Sequence, residues 1–164
     1  ITWTFDPLES RNAYLNLSKL YAISDTYLEN YYGDMEDGLN KGLPSDRLQI
    51  EWWFLSERVE RKWMPQISKY VRPFAVGQSE NGNPTIEVEL NEIPLNSVGI
   101  EVPVPTHFQM LKKNEPELAL DWRMKIRTIF QTLFSAGYAV VGLRKTDEEV
   151  QYYQFVKRST IPLN

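Results

Sequence analysis

The chain has 164 residues, 42% hydrophobic and 13% aromatic, with a formal charge of −4. That is one domain's length with enough apolar surface for a core, which excludes a disordered chain and argues against nucleic acid, whose phosphates want a basic face. Cysteine is absent and histidine occurs once, at His107, so disulfides, thiolate metal sites, Cys nucleophiles, His-rich metal sites and two-histidine relays are excluded.

"ITWTF" (residues 1–5) alternates β-branched and aromatic residues and reads as a strand. Asp6-Pro7 ends it, because proline lacks the amide a ladder needs. Residues 9–22 read as a helix with Ala13, Leu17 and Leu20 on one face, and Asp6 or Ser10 as its cap. Residues 27–47 are polar and broken by Gly33, Gly38, Gly42 and Pro44, which predicts a long loop of the kind that is usually functional.

"RLQIEWWFL" (47–55) reads as a strand, with Leu48, Ile50 and Trp52 on one face and Glu51 on the other. Residues 56–70 read as a helix broken at Pro65. Asn81-Gly82 signals a hairpin turn within residues 77–84. Strands are expected over 85–90 and 99–104. The longest helix is expected over 114–135, with a stripe of Leu118, Trp122, Ile126, Ile129 and Leu133, and Gly137 stands where a C-cap glycine belongs. A hairpin of 139–143 and 150–156 closes the order. The expected class is α+β: one domain over 1–164, with a mixed, mainly antiparallel sheet flanked by helices. Two passages share the order strand, helix, strand, which is either a repeat or an accident of composition.

The opening "WTFDPLESRNAYLNLSKL", followed by "YYG…GLPSDRL…EWW", resembles a branch of the GNAT superfamily of acyl-CoA-dependent N-acetyltransferases. "LALDWRMKIRTIFQTLFSAGYAVV" resembles the C-terminal extension of that branch. The resemblance implies that residues 1–55 are a core strand, helix and strand, and that 56–164 are the family-specific extension. It implies acetyl-CoA as co-substrate, no metal, and a small-molecule or peptide amine as acceptor. In that fold the fourth and fifth strands splay apart and the pantetheine arm enters the gap, so "ITWTF" would form one lip. The pyrophosphate turn, "Q/R-x-x-G-x-G/A", has no match in this sequence; by resemblance it precedes the fifth strand, so the chain reads as a GNAT-like fold without its N-terminal half. The family's Lys-Leu-Gly is Lys19-Leu20-Tyr21 here, and the slot of its helix tyrosine falls on Asn16 or Leu17.

The candidate cofactor-binding residues are therefore Trp3, Phe5, Asn12 and Asn16. The two asparagines, four apart on one helix face, either bond the pantetheine amides or face water. Ser45, Asp46 and Arg47, on a proline turn ahead of a strand, are the candidate substrate residues. Arg47 either clamps a carboxylate bidentately or pairs with Asp46 to order the loop. Glu51, between aromatic neighbours Trp52 and Trp53, is the candidate general base if burial raises its pKa, and otherwise a sheet carboxylate facing water. Tyr32 is the candidate proton donor to the leaving thiolate, or else packs under the loop with Tyr31. Arg11 reads as an exposed helix residue and His107 as a capping or surface residue. No membrane span or signal peptide is visible, so the expected location is cytoplasmic. The competing reading is a non-enzymatic binding or oligomerisation module, either self-associating or pairing with an N-terminal half, because a sheet that starts at its edge invites pairing.

Overall fold

A computed structural model describes residues 1–33 and 42–164. The class is α+β, with a mainly antiparallel sheet flanked by helices. The strands are β1 (Thr2–Phe5), β2 (Ile23–Leu28), β3 (Arg47–Glu51), β4 (Val76–Gln78), β5 (Pro84–Ile86), β6 (Gly99–Pro105), β7 (Tyr138–Arg144) and β8 (Val150–Lys157). Six of them form one sheet in the order β1-β3-β2-β7-β8-β6, and β4 and β5 form a separate hairpin. All strand pairings are antiparallel; a single parallel bridge joins Val71 to Ile100.

β6 and β7 are buried along both faces, whereas β3 buries one face, through Leu48 and Ile50. Tyr138, Val140 and Phe155 join the larger core, while Ala139, Val141 and Val156 join a smaller one with Ile23, Ile161, Trp63, Ile67 and Tyr70. Helix α4 (Pro116–Ser135) lies on the larger core and buries Trp122, Ile126, Ile129 and Leu133 of the predicted stripe. Phe130 meets Tyr27, Tyr153 and Phe155 edge-on at 5.9, 5.0 and 4.9 Å, the geometry ring quadrupoles favour. Gly137 takes a φ of +88° after the last turn of α4, a conformation in which a side chain would be strained.

The strand expected over 85–90 ends at Ile86 in β5, and three larger sequence expectations change. Within 27–47, Tyr27 and Leu28 belong to β2, which begins at Ile23. Ser24, Asp25 and Thr26 hid it, because the polar groups of this strand are satisfied by tertiary bonds: Ser24 is fully buried and donates to the Gln49 carbonyl. Gly38 and the rest of residues 34–41 lie outside the described residues.

The helix expected over 56–70 is only α2 (Glu57–Glu60), capped by Ser56, whose Oγ accepts the Val59 amide at 3.3 Å. Arg58 is fully buried and donates to the carbonyls of Leu17, Tyr21, Ala22, Trp63 and Val141. Trp63 folds back to reach it after Lys62 turns through a φ of +54°, and Pro65 then lacks an amide for further helical bonding.

The first helix is α1 (Ser10–Ala13), running into a π-helical stretch, Tyr14–Lys19, closed by the Leu20 amide on the Leu15 carbonyl at 2.9 Å. Neither Asp6 nor Ser10 caps it: the Asp6 carboxylate accepts the Leu8 amide, and Ser10 Oγ donates to the Thr106 carbonyl.

The two flanks of the sheet differ. At β6, Val71 accepts the Glu101 amide at 2.8 Å and donates to the Gly99 carbonyl at 3.0 Å. By alternation, Pro103 and Pro105 fall on the same outer side and carry no amide hydrogen. Among the described residues, β1 pairs with β3 alone. The Ile1–Trp52 pair exchanges both of its backbone bonds, so Trp3 and Phe5 also bond inward to β3, and the backbone groups of Thr2 and Thr4 point away from the sheet.

Candidate functional site

The residues singled out in the sequence fall in two places along β3. At its start, Ser45, Asp46 and Arg47 line a cavity of about 150 Å³ together with Tyr32, Asp6 and Arg123. At its end, Glu51 lines a cleft of about 430 Å³ with Ile1, Thr2, Trp52, Trp53 and Leu163. Arg47 and Glu51 are four residues apart on one strand, a separation of about 13 Å. Tyr32 and Glu51, the acid and base candidates, therefore do not share a cavity.

The smaller cavity is framed by two carboxylate–arginine forks. Arg123 and Arg127 stand one turn apart on α4. Arg123 donates Nη1 and Nη2 to the two oxygens of Asp6 at 2.7 Å each. Arg127 donates Nε at 2.9 Å and Nη2 at 2.7 Å to Asp46. Asp46 also accepts the Tyr27 hydroxyl at 2.8 Å and the Asn30 amide at 2.9 Å. Burial opposes its ionisation, but the bonds from Arg127, Asn30 and Tyr27 outweigh it and hold the Asp46 carboxyl below its ordinary value. Burial, with Asp46 alongside, pushes the Tyr27 phenol far up. Asp46 thus accepts four hydrogen bonds within the protein, and its partner is Arg127, not the neighbouring Arg47.

Arg47 turns the other way. Its Nε donates to Thr4 Oγ1 at 3.2 Å and its Nη2 to the Thr4 carbonyl at 2.9 Å, strapping the outer side of β1. The guanidinium carbon stands 5.5 Å from the centre of the Tyr32 ring. Tyr32 is exposed and rests beside Tyr31 at 5.1 Å. Ser45 fixes this corner: its Oγ accepts the Tyr32 amide, its carbonyl accepts the Tyr31 amide, and its own amide donates to Asn30.

The cofactor candidates divide by burial. Trp3 packs edge-on against Trp52 and donates Nε1 to Asn16 Oδ1 at 3.0 Å. Phe5 is a core residue. The π stretch carries Asn16 inward while Asn12 stays exposed, so the two asparagines do not act as one face. On β1 the outward backbone groups belong to Thr2 and Thr4; the strand alternation pointed to them, but the side-chain reading passed over them. Arg123 and Arg127 were also missed. Their signal was a pair of arginines four apart in a helix whose neighbouring positions are apolar.

At the other end of β3, the expected rise in the Glu51 pKa is replaced by a fall. Arg158 donates to both Glu51 oxygens at 2.8 and 3.0 Å and also reaches Asp25 at 2.8 Å. That pairing, with a bond from Trp53, holds the carboxyl below its ordinary value, which weakens it as a base. His107 is exposed at the start of α3 (Phe108–Asn114), and its side chain caps nothing. Among the described residues no group of three or more acidic or histidine side chains is gathered as metal ligands would be, and no helix is long and apolar enough to cross a membrane. No protein-family model, curated protein or solved structure matches the chain.

Proposed function

We propose that this chain contributes one wall of an acetyl-CoA-dependent N-acyltransferase of GNAT type. The observation that carries the reading is the outer side of β1, which pairs with no strand among the described residues: the Thr2 and Thr4 backbone groups face away from the sheet, and of these the Thr4 carbonyl is taken by Arg47 Nη2. The amides of a pantetheine arm are complementary to such groups. The acceptor amine attacks the thioester carbonyl, the carbon–sulfur bond breaks, and the electron pair leaves on the CoA sulfur. The nitrogen gives up a proton and the thiolate takes one. No covalent enzyme intermediate is needed, which suits a chain without cysteine. Tyr32, on the rim of the cavity that Arg47 links to Thr4, is the candidate donor to the thiolate. The pyrophosphate turn and the rest of the slot would come from an N-terminal half of the fold.

The test is a titration of the ¹⁵N-labelled chain with acetyl-CoA, read at individual amides. Weak binding that shifts Thr2 and Thr4 more than Trp3 and Phe5 supports the reading. An unmoved β1 at saturating ligand removes it. Micromolar or tighter affinity removes the assignment of the pyrophosphate grip to another segment.

A second reading, an interaction module, draws on the same free edge and on the exposed Trp53, Phe54 and Leu55 beside it. Sedimentation would reveal a concentration-dependent dimer; a monomer at every concentration rules this reading out.

A further inference from the structure

We infer that the cavity at the start of β3 is a carboxylate-binding site, so that the acyl acceptor is an amine that also bears a carboxylate, as in an amino acid or a peptide terminus. The inference rests on the acyltransferase reading only in calling the ligand an acceptor; the carboxylate site itself is argued from charge and geometry.

Of the charged residues that line the cavity, three are already matched. Asp6 and Arg123 hold each other, and Asp46 holds Arg127. Arg47 is the exception: among the described residues it meets no carboxylate, and its hydrogen bonds go to the hydroxyl and carbonyl of Thr4. Among the described residues, the wall therefore carries one unmatched positive charge, and both of its acidic groups are already neutralised.

The guanidinium is also held in a defined orientation. A guanidinium has five N–H donors, and Arg47 uses two of them, one on Nε and one on Nη2. Of the three that remain, one on Nη1 and the second on Nη2 form the end-on fork, whose two parallel donors fit the two oxygens of a carboxylate. The bonds to Thr4 and the Tyr32 ring at 5.5 Å fix the plane of that fork before any ligand arrives. Little side-chain entropy is then left to lose on binding. A volume of about 150 Å³ is well above the ~10–15 Å³ that one water needs on the same measure, which leaves room for a carboxylate with a few carbons behind it. Thr4 ties the cavity to the outer side of β1, next to the proposed path of the thioester.

Alanine and alaninamide are the probes, since they share an amine and differ only in the carboxylate. Each is titrated into the ¹⁵N-labelled full chain, without acetyl-CoA, and read at the Arg47 Nε–H and the Ser45 amide. Alanine is expected to shift both signals and to bind at least tenfold tighter than alaninamide. Arg47→Met should abolish the difference between the two probes. Arg47→Lys keeps the charge without the fork and should lose at least tenfold. Because either change also releases Thr4, Tyr32→Leu provides a second variant that leaves the Thr4 bonds in place and should weaken alanine binding several-fold. Equal affinity for the two probes, no shift with either, or tighter binding of inorganic phosphate at the same signals would overturn the inference. The titration is independent of the acetyl-CoA experiment, so carboxylate binding with an unresponsive β1 sinks only the acyltransferase reading, and the reverse outcome sinks only this one.

Discussion

Asp46, just ahead of β3, and Arg127, in the middle of α4, form a two-bond fork across 81 residues of sequence, with Asp46 fully buried. The fork joins the loop that carries Ser45 and Arg47 to the longest helix. Replacing Asp46 with Ala leaves Arg127 with the longer contact to Glu29 at 3.6 Å and strips the Tyr27 hydroxyl and the Asn30 amide of their acceptor. The expected loss is about 3–5 kcal/mol, the range for breaking a buried pair from one side. Urea unfolding checks it as a lowered midpoint at unchanged slope.

The same carboxylate sets a pH dependence. Its folded pKa lies below the ordinary value, so its contribution to stability is complete above the unfolded value of ~3.9 and is lost as the pH falls through the lower folded value. Wild type and Asp46→Asn should therefore differ most near neutrality and converge in acid. Thermal unfolding of both between about pH 7 and pH 2 measures this; a gap that stays constant with pH contradicts it.

Arg58 is a buried cation held by five carbonyl oxygens, with the Tyr21 ring 5.6 Å from its guanidinium carbon. Burial lowers its pKa to about 10, so it remains charged at neutral pH. Arg58→Met leaves those carbonyls without their donor and is expected to cost upwards of about 3 kcal/mol. Arg58→Lys should rescue little, because three donors on one nitrogen cannot span acceptors spread across the residue 17–22 segment, Trp63 and β7. Denaturation midpoints of the two variants should lie close together and well below wild type.

Trp3 and Asn16 offer a smaller, separable effect. A double-mutant cycle with Trp3→Phe and Asn16→Leu should return a coupling of about 1 kcal/mol, the net worth of one hydrogen bond. A coupling near zero would mean that Asn16 is buried for its packing and not for its acceptor.

The parts of this fold that were legible in the sequence are those whose partners are local. The stripe of α4, the glycine after it, the β7–β8 hairpin and the strand at the start each follow from spacing over a few residues. Where a distant partner decides, the local pattern misleads. Ser24, Asp25 and Thr26 fall in no element read from the sequence because the Gln49 carbonyl that accepts from Ser24 lies on another strand. Residues 61–70 read as helix because nothing nearby announces that Arg58 draws the Trp63 carbonyl toward it. Glu51 read as either a desolvated base or a sheet carboxylate facing water because Arg158, its actual partner, stands 107 residues away. The candidate site divides in the same way: Ser45, Asp46 and Arg47 were found as a motif, but which of them keeps an open guanidinium fork depends on Thr4, Arg123 and Arg127.

The prolines of β6 and the bridge from Val71 carry a consequence for self-assembly. Among the described residues, the margin of the six-stranded sheet that offers backbone donors is β1, since the opposite margin is stripped of donors between Glu101 and Pro105. A β1-to-β1 union of two six-stranded sheets would close on a two-fold axis, and it leaves the separate β4–β5 hairpin outside the joined sheet.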